Sequence, residues 1–171
     1  GEPLKEEDYR TIMGEVLPKR AKLRAMNLLQ GREYTTSQLR TKLLQGFYPP
    51  KIIEQAIDYV AGFHYIDDLR YAVDYITYHE DSRSRRRIEQ DLQGKGILAA
   101  TIEEAWQVWR ENGGKQDEQA MIRELLHKKH YDTEGETDWK ERQKIYAFLA
   151  RKGFSAEVIR KAIGGMHGDD F

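Results

Sequence analysis

The sequence predicts an all-α fold: three tandem three-helix repeats of helix-turn-helix type in an elongated array, preceded by an extra N-terminal helix. Three observations carry this prediction. Apolar residues recur at one spacing in three segments: Leu39, Leu43, Ile53 and Ala56; Ile88, Leu92, Ile102 and Ala105; Ile145, Leu149, Ile159 and Ala162. The gaps are four, ten and three residues each time. Inside every set stands a glycine followed by an apolar residue, as Gly46-Phe47, Gly96-Ile97 and Gly153-Phe154. There are only four prolines and none after Pro50, which leaves the rest of the chain free to be helical.

Taken in order, a leading helix of mixed charge is expected over residues 5–16. Pro18 then opens a helix over 19–29 that Gly31 stops, since proline suits a first helical turn and glycine the position past the end. Leu39 and Leu43, four apart on one helix face, begin the first hairpin, and Pro49-Pro50 starts its second helix. In each hairpin the glycine is expected to take the left-handed conformation that ends the first helix, with the next apolar residue folding back over that end. The small alanine allows close approach of the helices. A turn at Ala61-Gly62 leads to the second repeat, where Asp67-Asp68 forms an N-cap pair before Leu69, Ala72, Tyr75 and Ile76 on one face. Its hairpin starts near Ser84. After Asn112-Gly113-Gly114, a helix over 116–129 carries Ala120, Met121, Leu125 and Leu126. The polar stretch 131–138 is a loop, the last helix starts after Ser155, and Gly164-Gly165 forms the closing turn. This divides the chain into a leader (1–17), repeats at 18–63, 64–113 and 114–165, and a mobile acidic tail (166–171).

Charged residues make up 33% of the chain and the hydrophobic class 39%, a balance that suits several thin cores better than one deep one. No cysteine is present, so disulfides and thiolate metal sites are excluded. No apolar run approaches the roughly 20 residues that span a bilayer, and no secretory leader opens the chain, so a cytoplasmic protein without a membrane partner is expected. Gly1 in place of a methionine points to a trimmed or tagged start. The net charge of −1 argues against wholesale nucleic-acid binding, although the charge is unevenly spread.

The stretch 65–72 (Tyr-Ile-Asp-Asp-Leu-Arg-Tyr-Ala) resembles a signature of the bacterial RecX family of recombination regulators. So do 84–92, running on to Lys95-Gly96-Ile97, and 148–155 with 158–163 behind it. The resemblance covers residues 19–163 in the family's order. His64 stands where that family more often has glycine, Gly94 adds a second glycine to the middle hairpin, and Gly46 sits one residue early. The resemblance implies three three-helix repeats in a curved molecule. It also implies binding to the RecA recombinase along the groove of the RecA–DNA filament, with inhibition of ATP hydrolysis and strand exchange. Such a protein is a regulator and not an enzyme, needs no cofactor, and works as a monomer.

Arg83, Arg85, Arg86 and Arg87 are the sharpest candidate contact residues, with Lys95 behind them. On a helix starting near Ser84, Arg83 and Arg87 lie about one turn apart, while Arg85 and Arg86 splay to other sides. They suit phosphates or acidic partner residues, or else pair with Glu80, Asp81, Glu89 and Asp91 at a solvated helix start. Four arginines at the positive end of a helix dipole are electrostatically awkward, which favours contact with a partner. Arg151, Lys152, Arg160 and Lys161 form a second basic group around the third hairpin. Asp67-Asp68 is a cap, not a pair of catalytic carboxylates. Tyr71, Tyr75 and Tyr78 share a face and are expected in packing, as are Trp106 and Trp109. His127 and His130, with Asp132 nearby, lack the further ligands and the shielding that zinc needs. Direct, weak DNA or RNA binding is the alternative function, and it requires a consistent basic face.

Overall fold

The computed structural model describes residues 2–131 and 139–167, all in helices and short turns. Gly1, Asp132 with the rest of the expected loop at 132–138, and the acidic end of the expected tail lie outside the described residues. The order is α1 (Glu6–Thr11), a π-helical turn (Ile12–Val16), α2 (Leu17–Gly31), α3 (Thr36–Gln45), α4 (Pro50–Gly62), α5 (Asp68–His79), α6 (Arg85–Gly94), α7 (Ala99–Glu111), α8 (Glu118–Lys128), α9 (Trp139–Arg151) and α10 (Ala156–His167).

All twelve residues of the recurring pattern are buried. The chain divides into two compact units, residues 1–73 with 92–105 and residues 74–91 with 106–171. The first is built on Ala21, Ala25, Leu39, Leu43, Ile53 and Ala56, onto which Met13, Leu17 and Tyr48 pack. The second holds a core of Ile122, Leu126, Ile145, Leu149, Phe154 and Ile159. Trp106 and Trp109, expected in packing, are buried and meet edge to face with ring centres 5.3 Å apart.

Side-chain caps set several of the helix starts. The Thr35 hydroxyl accepts from the Gln38 N–H while the Gln38 side chain accepts from the Thr35 N–H, the reciprocal box that satisfies two orphan donors. The same hydroxyl donates to the Lys95 carbonyl at 2.7 Å. The acidic pair divides its work. Asp67 accepts from the Arg70 N–H at the start of α5, and Asp68 accepts from the N–H and hydroxyl of Thr36 in α3.

Four local expectations are corrected. Pro18 stands in the first turn of α2 as expected, but no break separates that helix from the leading one, because a helical path runs from Glu6 to Gly31. Proline has no N–H and crowds the carbonyl four residues back, and the π turn immediately before it accommodates both. Gly46 is right-handed at φ −82°, and Phe47 takes the left-handed place at φ 63°. The turn after α4 centres on left-handed His64 (φ 57°), two residues past Gly62. Gly164-Gly165 makes no turn, since α10 continues to His167.

Candidate functional site

The site starts at the cap of α6. Ser84 is fully buried, its hydroxyl accepting from the Arg87 N–H and its carbonyl from the Ile88 N–H. Arg83 is thereby left outside the helix and Arg87 one turn inside. Gln116 steadies the preceding turn by donating to the carbonyls of Glu80 and Arg83. Glu80, expected to pair with an arginine, instead accepts from the Trp109 indole at 2.6 Å. A Cβ at Gly114 would enter that indole ring.

Asp91 is the hub. Its carboxylate accepts from Arg83 Nη1 at 2.6 Å, from Arg87 Nε at 3.0 Å and from the Tyr75 hydroxyl at 3.0 Å. Arg83 also donates to the Tyr75 oxygen at 2.6 Å. Burial pushes the Asp91 carboxyl upward, but the hydrogen bonds from Tyr75 and Arg83 and the charges of both arginines outweigh it and hold the group below its ordinary range. Burial and the bond to Asp91 raise the Tyr75 phenol.

The third hairpin supplies the other wall. Gly153, left-handed at φ 98°, sits so close to α6 that a Cβ would lie 2.6 Å from Ser84 Oγ and 2.7 Å from Arg87 Cβ. That approach brings Arg151 and Lys152, both exposed, to the cavity lined by Arg83 and Arg87. Tyr78, His79, Ser82 and Phe148 complete a groove of about 660 Å³. The Phe148 ring carries the ammonium groups of Lys129 and Lys152 at 5.5 and 5.7 Å from its centre. Tyr78, expected in packing with Tyr71 and Tyr75, is 83% exposed, its ring held edge-on by His79 at 4.8 Å.

The remaining predicted cations go elsewhere. Arg85 donates its N–H to Glu118, pairs with Glu89 at 2.9 Å and lies over the Trp106 ring, so it fastens the fold. Arg86 is exposed on a different, open cavity beside Arg110 and Lys115. Lys95 belongs to the first unit. The second basic group is split, because Arg160 lines an apolar depression with Trp139, Tyr146 and Ile163, and Lys161 pairs with Glu157 in solvent. Sequence reasoning missed Phe148 and the exposure of Tyr78. Only the adjacency of Phe148 to Arg151-Lys152 hinted at the former. His127 and His130 are exposed, and among the described residues no three metal-binding side chains cluster. No helix of the described residues is long and apolar enough to cross a membrane.

Four cations and an exposed tyrosine line this groove, and Asp91 holds two of those cations, Arg83 and Arg87, an arrangement whose charge suits an anionic group. Family models match the chain at residues 21–59 (RecX, first three-helix domain), 67–105 (second) and 116–163 (third). A regulatory protein RecX of Chromobacterium violaceum is 33% identical over 90% of this chain and 95% of its own length. Another, from Clostridioides difficile, is 30% identical over 95% of this chain and 76% of its own. A crystal structure of a regulatory protein RecX superposes with a TM-score of 0.74 at 24% identity, covering 96% of this chain and 81% of that one. One of RecX from Lactobacillus salivarius gives 0.67 at 21%, covering 88% and 96%; both show the likeness of fold.

Proposed function

The chain belongs to the RecX family of regulatory proteins, and from that premise we propose that it regulates homologous recombination and DNA repair by binding RecA or the RecA–DNA filament. It inhibits ATP hydrolysis and strand exchange by occupying the filament groove or by blocking filament growth. The repeats, taken as 18–63, 64–113 and 114–165, each supply modest contacts that add as avidity. The observation that supports this reading is the groove itself, where Arg83, Arg87, Arg151 and Lys152 converge in a chain of net charge −1. Concentrated positive charge of this kind suits a polyanionic surface such as a nucleoprotein filament.

The test is single-stranded-DNA-dependent ATP hydrolysis by RecA, titrated with this protein. Arg151→Ala with Lys152→Ala is the informative variant, because both side chains are exposed and neither makes an ion pair among the described residues. Replacing Arg83, Arg85, Arg86 and Arg87 together would also dismantle the Asp91 and Glu89 contacts. Inhibition at near-stoichiometric protein, weakened about tenfold by the double variant, is the expected result. Unchanged hydrolysis at large excess removes RecA as the target.

The second reading, direct binding of DNA or RNA, is favoured by one specific feature: Tyr78 offers a free ring face beside the four cations, the pairing that single strands use. Binding of a labelled oligonucleotide without RecA separates the two.

A further inference from the structure

The three hairpin tips share one register but not one residue. Four places after the last buried leucine of each first helix stand Gly96 at φ 84°, Gly153 at φ 98° and, in the first hairpin, Phe47 at φ 63°. At the two glycines the space for a side chain is already filled, by Ser37 in one case and by Ser84 and Arg87 in the other. At Phe47 nothing fills it, and the ring is 94% exposed. A bulky residue with positive φ is strained, and an aromatic ring left in water adds a second cost. Neither is imposed by the fold. The role that Ile97 and Phe154 play over the ends of their helices falls to Tyr48, which packs on the first core. Gly46, next in sequence, is not used for the left-handed turn.

We propose that Phe47 is the anchor of a protein-docking surface at the tip between α3 and α4. Half-exposed Leu44 adds apolar area, while Lys42 in the last turn of α3 and Lys51 in the first turn of α4 flank it, both exposed. The matching partner surface is an apolar pocket rimmed by carboxylates. An aromatic anchor held rigidly by its backbone and flanked by cations enters such a pocket with little further loss of freedom. This surface lies in the first unit and shares no residue with the basic groove of the second. The proposal rests on the reading that the partner is the RecA filament, to which the tip adds an apolar contact.

The experiment measures equilibrium binding of the full chain, and of Phe47→Gly and Phe47→Leu, to RecA filaments on single-stranded DNA, with the melting temperature of each variant. For Phe47→Gly, relief of the left-handed strain raises the melting temperature by about 2–4 °C, while binding weakens about tenfold or more. Phe47→Leu retains most of the binding. Opposite signs for stability and affinity in one variant are the signature, because a purely structural residue would move both downward. Phe47→Gly bound as tightly as wild type, or bound more weakly only with a lowered melting temperature, overturns the anchor. Wild type that fails to bind the filament overturns the family-based reading, and this proposal with it. Oligonucleotide binding reduced by Phe47→Gly would assign the ring to base stacking and also overturn the proposal.

Discussion

At the scale of single residues, the site depends on how one carboxylate is shared. Asp91 holds Arg83, Arg87 and Tyr75 within 3.0 Å and so aims two guanidinium groups at one groove. Asp91→Asn keeps the shape and removes the charge, and about 2 kcal/mol of stability at pH 7 should go with it. The pH dependence has a definite sign. The folded carboxyl titrates below its unfolded value, so its contribution is full above about pH 4 and fades as pH falls through the depressed folded value. The gap between wild type and Asp91→Asn in urea unfolding should therefore narrow below about pH 4; a gap that widens there would contradict the assignment. Gly153 tests the other wall. Gly153→Ala meets Ser84 and Arg87 and suffers a positive φ, for about 2–4 kcal/mol. Gly113→Ala, also at positive φ but with open space around it, should cost only about 1 kcal/mol. Equal losses at the two positions would mean that close approach at Gly153 contributes nothing.

At the scale of elements, each hairpin tip is a small docking device. In the first unit the second tip closes on α3, where Thr35 completes its own capping box and also donates to the Lys95 carbonyl. Thr35→Val keeps the volume and loses both roles, which predicts a loss of about 2–3 kcal/mol by chemical denaturation. Serine at the same position should restore most of it, since the hydroxyl and not the methyl is at work. Much of this level was legible in the sequence. Ser84, Asp67 and Ser155 cap where short polar residues precede apolar periodicity. What misled was the assumption that every glycine near a helix end is left-handed. Gly46 is a counterexample, because the register counted from Leu43 puts Phe47 and not Gly46 at the turn. Pro18 does occupy the first turn of α2, but a π turn joins that turn to the helix before it, so the expected break is missing.

For the molecule as a whole, net charge hides what matters. A chain at −1 still concentrates four cations on one groove, because other basic residues are neutralised locally, Arg85 by Glu89, Lys161 by Glu157 and Arg40 by Glu54. Binding to an anionic target should thus weaken with salt more steeply than the net charge suggests. If Arg87, Arg151 and Lys152 each meet a phosphate of a single strand, log K against log salt falls with a slope of about −2. Arg151→Ala with Lys152→Ala should flatten that slope to about −0.7 and leave the melting temperature nearly unchanged. A slope near zero in the wild type would show that the groove meets no phosphates.

The sequence by itself determined the helices and the buried face of each hairpin, because these follow from residues within about four positions of one another, where backbone geometry dictates contact. The tertiary structure alone decided which charges share a groove. Arg83 and Arg87 meet Arg151 and Lys152 only because Gly153 lets one hairpin tip close on the start of α6. A contact across such a separation follows from packing, for which local spacing carries no signal. The same holds for Tyr78, whose helical periodicity matched that of Tyr71 and Tyr75. Its exposure depends on what packs beside α5, and there the ring was left facing solvent.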